Sequence, residues 1–193
     1  MNERVAAVVL HYNRPAGALA AVDSVRASLH DSLEVAVVDN GSSTAAVEEL
    51  VSGLATRPEV RLVRLPGNRG YTGGMNAAFE HALGTQAPFI WLLADDVRVA
   101  PEAMGALVSA LREHPHAGVA GALTYYADAP ERIWYAGGLV SKQTIGRGRH
   151  RGMGERDRGQ YVTAEVVDYA NGSSLFARRE VVAESYARLP HRR

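Results

Sequence analysis

The stretch VAAVVL at Val5–Leu10 decides the fold, because it is apolar at every position and polar residues follow it at once. A strand with one wet face would alternate apolar and polar side chains. The unbroken run therefore predicts a strand that is buried on both faces, as in a parallel sheet. The next residues, HYNRP at His11–Pro15, end this strand. Pro15 suits the first turn of a helix, which is predicted to run to about Ser28, because that turn does not need the missing N–H.

The same strand–helix unit recurs along the first 125 residues. Short apolar runs predict further strands at Leu33–Val38, Phe89–Leu93 and Gly118–Leu123, and the alternating residues Val60–Leu65 predict another. Amphipathic segments predict helices at about Thr44–Ala55, Thr72–Leu83 and Pro101–Glu113. This alternation predicts an α/β fold, with a Rossmann-like, doubly wound, mostly parallel sheet and helices on both of its faces.

The pattern changes after Tyr125, so we divide the domain into residues 1–125, the α/β core, and residues 126–193. The second segment is rich in Gly and Arg and predicts an irregular hairpin and loop. It continues with a strand at Val162–Tyr169, a turn at Asn171–Ser174 and a short helix at about Arg178–Arg188.

Composition excludes several classes of function. The 21 basic and 21 acidic residues cancel, and acidic residues interrupt the basic cluster between Arg147 and Arg158, so no nucleic-acid partner is expected. A solvated loop is favoured for that cluster over a loop that closes on a diphosphate. The chain has no cysteine, which excludes disulfides, thiolate zinc sites and cysteine nucleophiles. No signal peptide and no apolar run of about 20 residues is found, so we expect a cytoplasmic protein without a transmembrane segment. Any membrane association would be peripheral, at the inner face.

Polar residues follow three of the predicted strands where ligands bind in open α/β sheets, at the carboxyl ends. Tyr12 and Asn13 follow the first strand, Asp39 the second, and Asp95 and Asp96 the fourth. Each taken alone is more simply explained as a strand end or a helix cap. Adjacent carboxylates repel each other, however, and Mg²⁺ binds through one or two carboxylates plus substrate phosphates. The combination therefore favours a diphosphate and metal site over a solvated pair.

The stretch NRGYTGGMN at Asn68–Asn76 is the second candidate for ligand binding. Glycines at a loop-to-helix junction let a ligand approach the backbone, and a helix N-terminus favours anions. Arg69 is a candidate contact to a base or a phosphate. The spacing matches neither the phosphate-binding P-loop nor the dinucleotide fingerprint, so a tight turn before a helix is an equal alternative.

Together these segments resemble the family 2 glycosyltransferases, and in particular the rhamnosyltransferase-like branch. The motifs that carry the resemblance are His11–Pro15, Val37–Ser43, Asn68–Asn76, Trp91–Val97, Ala136–Gly138, Arg149–Gly152 and Asp168–Glu180. The ordered set covers nearly the whole chain.

The resemblance implies a GT-A fold, a UDP- or dTDP-linked sugar donor, a Mg or Mn ion and inversion at the anomeric carbon. It implies saccharide, lipid-linked or small-molecule acceptors. Residues 1–125 would be the nucleotide-sugar-binding core and residues 126–193 the acceptor side. By analogy, Tyr12, Asn13 and Asp39 would hold the nucleoside. The nucleotide pocket would be lined by Asn68, Arg69, Gly70, Gly73 and Asn76. Asp95 and Asp96 stand at the metal-binding DXD-type motif, where Ala94 replaces the usual first acidic residue and leaves Asp96 as the main ligand.

The sequence departs from the family after Val182, where a Gly-Gly-Phe-Asp-type segment normally leads to a Glu-Asp motif that supplies the general base. Glu184 does not match that motif, and Asp168 is not assigned to the role, so the base is not identified. An inverting glycosyltransferase is the first hypothesis and a shortened, non-catalytic nucleotide-sugar-binding or partner-docking relative the second. A sugar-phosphate nucleotidyltransferase is the third, although no Gly-rich, Lys-bearing loop occurs in the first thirty residues.

A shortened acceptor side would leave apolar surface exposed near Val166, Leu175 and Phe176. Exposed apolar patches favour self-association, so the sequence also predicts a homo-oligomer.

Overall fold

The computed structural model describes residues 3–30, 32–141 and 148–188. The strands are β1 (Val5–His11), β2 (Leu33–Asp39), β3 (Arg61–Arg64), β4 (Phe89–Ala94), β5 (Val119–Gly121), β6 (Thr124–Tyr125), β7 (Ile133–Tyr135), β8 (Gly138–Val140), β9 (Gly148–His150) and β10 (Ser174–Arg178). The helices are α1 (Pro15–Arg26), α2 (Thr44–Leu54), α3 (Gly70–Gly84), α4 (Ala103–Glu113) and α5 (Arg179–Ala187).

Six of these strands form one sheet in the order β3-β2-β1-β4-β10-β5. β1 pairs in parallel with both β2 and β4, and β3 pairs in parallel with β2. The chain moves outward from β1 in one direction through β2 and β3, and then returns to the other side of β1 with β4. The carboxyl ends of β1 and β4 therefore flank the point where the strand order reverses, which is where ligands bind in such sheets.

The sheet carries a separate apolar core on each face. One core joins alternate strand residues such as Val9 and Trp91 to the buried sides of α1, α2 and α4. The other joins their neighbours, such as Val8 and Leu92, to α3 and to Val182 of α5. β1 and β4 bury side chains on both faces, which explains why these strands lack apolar–polar alternation. The α/β prediction of a mostly parallel sheet with helices on both faces is confirmed.

The last strand of the sheet is not where the sequence pattern predicts it. Residues Val162–Tyr169 form no strand, and Val162 and Val166 are exposed. The strand is instead β10, which lies between β4 and β5 and runs antiparallel to both. Residues 162–169 do not pair with the six-stranded sheet, so their alternating apolar side chains are not buried against it. The shorter apolar run of β10 fills the gap between β4 and β5.

This placement also corrects the expectation of an exposed apolar surface. Phe176 of β10 is fully buried; its ring stacks on Phe89 at 5.4 Å and meets Trp91 edge-on at 6.0 Å. Leu175 is half-buried, and only Val166 of the three is exposed. The predicted self-association therefore loses most of the surface on which it depended.

The rest of the second segment consists of two small antiparallel pairs, β6–β7 and β8–β9. Tyr169 forms an isolated bridge to Gly138, where its ring lies so close that a Cβ would come within 2.4 Å. Single contacts of this kind, rather than a long ladder, join the parts of this segment to each other. The predicted strand at Gly118–Leu123 is likewise only the three residues of β5.

Candidate functional site

A cleft of about 370 Å³ opens at the carboxyl ends of β1 and β4, at the reversal of strand order. Its lining includes five residues predicted from the sequence: Tyr12, Asn68, Gly70, Asp95 and Asp96. Leu10, His11, Arg14, Asn40, Tyr71 and Ala94 complete it. Segments that are up to 86 residues apart in the chain thus meet in one place, as the strand-end argument predicts.

The other predicted residues do not line the cleft but lie around it. Asn13 has a positive φ of 52°. Its Oδ1 accepts a hydrogen bond from the Ser43 N–H at 2.8 Å, and its own N–H donates to Ser42 Oγ at 2.8 Å. Asn13 therefore ties the loop after β1 to the loop after β2. Asn76 is half-buried on α3, one turn further from the cleft.

Arg69 and Gly73 form a second pair near the rim. Arg69 is exposed. A Cβ on Gly73 would lie 2.5 Å from the Cβ of Arg69, so the glycine makes room for the arginine side chain to pass over the first turn of α3. Gly70, at the start of that turn, has a φ of +68°, a conformation that glycine adopts without strain.

Asp39 is buried beneath the cleft, with 1% of its surface exposed. Its Oδ1 accepts a hydrogen bond from the Ser42 N–H at 3.1 Å. Its Oδ2 has no hydrogen-bond donor among the described residues, and Arg64 Nε lies 3.9 Å away. A buried carboxylate oxygen without a donor costs free energy, which a ligand N–H would recover.

Asn40 was not assigned from the sequence, yet it organises the whole loop at the start of α3. Its Nδ2 donates to Asn68 Oδ1 at 3.3 Å and to the Gly70 carbonyl at 3.0 Å, and its Oδ1 accepts from the Arg69 N–H at 3.1 Å. A Cβ on Gly74 would lie 2.9 Å from Asn40 Nδ2, so the glycine permits this close approach. The only signal in the sequence was its place directly after a strand end.

The two acidic residues differ in exposure. Asp95 is buried, with 8% of its surface exposed, whereas the Asp96 side chain is 56% exposed. His11 is fully buried, and its Nδ1 lies 3.5 Å from Asp95 Oδ2 without hydrogen-bond geometry. Arg14 Nη1 lies 3.4 Å from Asp95 Oδ1 and 3.4 Å from Asp96 Oδ2. Neither His11 nor Arg14 was assigned a role from the sequence.

The donor set suits a hard divalent cation only in combination with a ligand. No group of three or more His, Cys, Asp or Glu side chains that could hold a metal ion occurs in residues 3–30, 32–141 and 148–188. Asp95 and Asp96 are the carboxylates of the cleft lining. Mg²⁺ and Mn²⁺ accept one or two carboxylates when phosphate oxygens and water supply the remaining ligands. The residues thus fit such an ion on a bound diphosphate.

Tyr71 connects the cleft to the second segment. Its hydroxyl donates to the Gly172 carbonyl at 3.0 Å, across 101 residues of sequence. A Cβ on Gly172 would lie 2.8 Å from the Tyr71 hydroxyl oxygen, so this contact needs the glycine. Burial and the nearby charge of Asp96 raise the pKa of Tyr71. A contact over such a separation leaves no local pattern in the sequence.

A larger cavity, of about 1010 Å³, lies at the other end of the strands, beside the starts of β2 and β3. It contains none of the predicted residues. Three of its charged groups pair with each other, since Arg26 contacts both Asp23 and Glu59. Burial and the neighbouring Arg61 lower the pKa of His81 there. Volume alone would select this cavity, but the strand-end chemistry selects the smaller cleft.

Two remaining candidates have structural roles. Asp168 is exposed, and its Oδ2 accepts a hydrogen bond from the Val140 N–H at 2.7 Å, outside the cleft lining. Arg151 of the basic cluster donates to the Ala136 carbonyl at 2.7 Å and pairs with Glu165. Arg147, at the start of that cluster, lies outside the described residues. None of the described helices has the length and apolar character needed to cross a membrane.

Solved structures similar to this chain share its fold. A mannosyltransferase from Pyrobaculum calidifontis, in complex with GDP-Man and Mn²⁺, aligns with a TM-score of 0.65 at 17% identity over 96% of this chain and 47% of its own. Residues 1–349 of TarS from S. aureus, in complex with UDP, align with a TM-score of 0.62 at 15% identity over 97% of this chain and 50% of their own. The chain thus spans about half the length of the structures it matches.

The same TarS fragment in complex with UDP-GlcNAc aligns with a TM-score of 0.52 at 18% identity over 64% of this chain. A search of curated protein sequences found no match. The model of the family described as "Glycosyl transferase family 2" matches residues 6–185, which include every element of the six-stranded sheet except the first residue of β1. The chain therefore belongs to glycosyl transferase family 2.

Proposed function

We propose that the chain binds a nucleoside-diphosphate sugar in the strand-end cleft, together with a Mg or Mn ion, and transfers the sugar to an acceptor hydroxyl. The observation that carries the proposal is the meeting of Asp95 and Asp96 with the loop at residues 68–70 in one cleft, where the strand order reverses. Carboxylates for a cation and a loop-to-helix junction for an anion are the two groups that a metal-bound diphosphate requires.

The nucleoside would lie over the ends of β1 and β2. Tyr12 is 44% exposed at the cleft, so its ring is available to contact a base. The unsatisfied Oδ2 of Asp39 is an acceptor for a base N–H, which uracil and thymine both offer. Asn13 would act by holding the two loops together, and the donor would be UDP- or dTDP-linked.

The diphosphate would lie between the α3 loop and the acidic pair. Asn40 presets the loop, and the exposed Arg69 is free to contact a phosphate, with Gly73 leaving it room and Asn76 supporting the same face of α3. When bound, the metal ion would neutralise the charge that develops on the departing nucleoside diphosphate. Asp96, the more exposed carboxylate, would be its main protein ligand, with Asp95 beside it.

Transfer with inversion needs a carboxylate to take the acceptor proton. Among the described residues that line the cleft, the carboxylates are Asp95 and Asp96, which the proposal commits to the metal. Glu184 of α5 pairs instead with Arg188, which follows the helix. No base is therefore assigned, and a nucleotide-sugar-binding relative without turnover is the second candidate function.

The finer parts of the proposal come from the family branch. Rhamnose is the proposed sugar, and a saccharide, a lipid-linked sugar or a small molecule the proposed acceptor. Independently of the branch, we propose a cytoplasmic location, in which any contact with the membrane would be peripheral, at its inner face. Residues 1–125 would bind the donor and residues 126–193 the acceptor.

The test is calorimetric titration of UDP, dTDP and GDP with and without Mn²⁺. Wild type should bind one nucleotide more tightly with Mn²⁺, and Asp96→Ala should lose that increase. Asp128→Ala, which removes an exposed charge away from the cleft, is the matched control and should bind as wild type does. Failure of all three nucleotides to bind would refute the proposal. Binding without turnover of the matching nucleotide sugar would favour the second candidate.

A further inference from the structure

Arg14 places one cationic nitrogen between the two carboxylates of the cleft. Its Nη1 lies 3.4 Å from Asp95 Oδ1 and 3.4 Å from Asp96 Oδ2. A cation that bridges these same two carboxylates would lie in the same region. The guanidinium and a metal ion therefore compete for the same negative charge, since like charges repel at such distances.

The backbone of Arg14 is held in place on both sides. Asn13 before it is hydrogen-bonded to the loop after β2, and Pro15 after it is buried in the first turn of α1. That turn packs directly on the acidic pair, because a Cβ on Gly17 would come within 2.9 Å of the Asp95 carbonyl oxygen. The side chain itself is 57% exposed, so the guanidinium can swing away while its backbone stays fixed.

The two carboxylates would respond differently to such a movement. Asp95 would keep its buried neighbour His11, whose Nδ1 lies 3.5 Å from Asp95 Oδ2. Asp96 has no other ion-pair partner in the described part of the chain, so the loss of Arg14 would leave its carboxylate free for a metal ion. A diphosphate that enters the cleft offers the displaced guanidinium a new anionic partner, because Arg binds phosphate oxygens well.

We propose that Arg14 is a built-in counter-ion that holds the metal affinity of Asp95 and Asp96 low until a nucleoside diphosphate draws the guanidinium away. The proposal rests on the function proposed above and adds a positioning role for a residue of this chain. Because linkage is reciprocal, the nucleotide would raise the affinity for the metal by the same factor by which the metal raises the affinity for the nucleotide.

The test measures Mn²⁺ binding by electron paramagnetic resonance of the free ion, first with Mn²⁺ alone and then with UDP and dTDP in turn. The variants are Arg14→Gln and, as a control, Arg98→Gln. Arg98 is only two residues beyond Asp96, but its guanidinium donates to the carbonyls of Asp95 and Val97 rather than to a carboxylate. The control therefore removes one positive charge close to Asp96 but keeps the contact of Arg14 with the two carboxylates.

Arg14→Gln should bind Mn²⁺ alone about two- to fivefold more tightly than wild type, the range expected from losing the exposed Arg14–Asp96 ion pair. The factor by which the nucleotide raises Mn²⁺ affinity should be smaller in this variant than in wild type. Arg98→Gln should leave that factor unchanged. Arg14→Lys keeps the charge and should fall between wild type and Arg14→Gln, which provides a second test if the glutamine variant does not fold.

Several outcomes would overturn the inference. Mn²⁺ affinity in Arg14→Gln that is no higher than in wild type would show that Arg14 does not compete with the ion. An equal gain in Arg98→Gln would reduce the effect to general electrostatics. Failure of the proposed function is a different result: none of UDP, dTDP and GDP would bind in the calorimetric titration, and no coupling between nucleotide and metal would be measured. Tighter binding of Mn²⁺ alone by Arg14→Gln would still support the competition.

Discussion

The two halves of this chain reach their structures in different ways. Between β1 and α4, strands alternate with helices, and the polar residues of the cleft follow from where those strands end. Between β5 and α5, most strands have two or three residues, and single contacts define the path of the chain. The Tyr135 hydroxyl donates to the Tyr169 carbonyl at 2.7 Å, and the Tyr125 hydroxyl to Asp157 Oδ2 at 2.6 Å.

A repeated strand–helix pattern makes the position of a site predictable from sequence, whereas single side-chain contacts do not. In the first half, one rule about strand ends places Asp39, Asp95 and Asp96 together. In the second half, each contact depends on the exact neighbour that the tertiary structure provides. Two of the contacts that join the halves differ in kind: β10 enters the sheet beside β4, and Tyr71 bonds to Gly172 at the cleft.

The junction at β10 should carry the largest energy. Phe176→Ala should lower the free energy of unfolding by about 3–5 kcal/mol, because it leaves a cavity between the rings of Phe89 and Trp91. Urea denaturation measures the change. Val166→Ala, a truncation at a fully exposed position in the same half, is the control and should change the stability by less than about 0.5 kcal/mol. Equal effects in the two variants would mean that β10 is not part of the core.

The polar clamp of the first half should come next. Asn40→Ala removes three hydrogen bonds to residues 68–70 and should lower the free energy of unfolding by about 1–3 kcal/mol. It should also weaken nucleotide binding, because the α3 loop would no longer be preset. Thermal unfolding and calorimetry measure the two effects. Thr56→Ala removes two exposed hydrogen bonds outside the cleft, one to the Gly53 carbonyl and one from Arg57 Nη1, and serves as the control. Unchanged nucleotide affinity in Asn40→Ala would argue against a preset loop.

The second junction should be weaker. Tyr71→Phe removes the hydrogen bond to the Gly172 carbonyl and should cost about 0.5–1 kcal/mol, since the bond is exposed to solvent. Hydrogen exchange should speed up at residues 172–174 and stay unchanged in β1. Tyr12→Phe, at the same cleft, removes a hydroxyl that makes no such bond among the described residues and is the matched control. Faster exchange in both variants would mean that the hydroxyl does not hold the two halves together.

The smallest effect belongs to the exposed Tyr125–Asp157 pair of the second half. The hydrogen bond to Asp157 and burial raise the pKa of Tyr125 to about 12, and the same bond lowers the pKa of Asp157. The raised pKa means that the stabilisation is complete below about pH 10, the pKa of an unfolded tyrosine, and is lost as the pH rises through about 12. The lowered pKa means that it is also lost as the pH falls below that of an unfolded aspartate, about 3.9.

The stability difference between wild type and Tyr125→Phe should therefore be largest between these limits and vanish at both ends. A phenolate absorbance titration, with Tyr125→Phe subtracted, should show the raised pKa, and Asp157→Asn should bring it down toward its ordinary value. A flat difference across the whole pH range would mean that the pair does not form in solution.

Much of the first half could be predicted from the sequence alone. The unbroken apolar runs determine buried parallel strands, because a strand with two covered faces has no place for a polar side chain. The carboxyl ends of such strands share one edge, so the sequence also determined that Tyr12, Asp39, Asp95 and Asp96 would gather there. The helix bounds differ by a residue or two, as at Gly70, where a glycine with positive φ starts α3 before the predicted Thr72.

Only the tertiary structure decided which short apolar run of the second half enters the sheet. Apolar and polar residues alternate more regularly in Val162–Tyr169 than in β10. Phe176 of β10, however, packs its ring between Phe89 and Trp91, and the burial of an aromatic ring outweighs the local sequence pattern. Tertiary structure also brought Arg14 between the two carboxylates and Tyr71 to Gly172, across 101 residues of chain in the second case. Such contacts form only after the sheet has brought distant segments together, whereas the burial of a strand follows from the apolar residues of the strand itself.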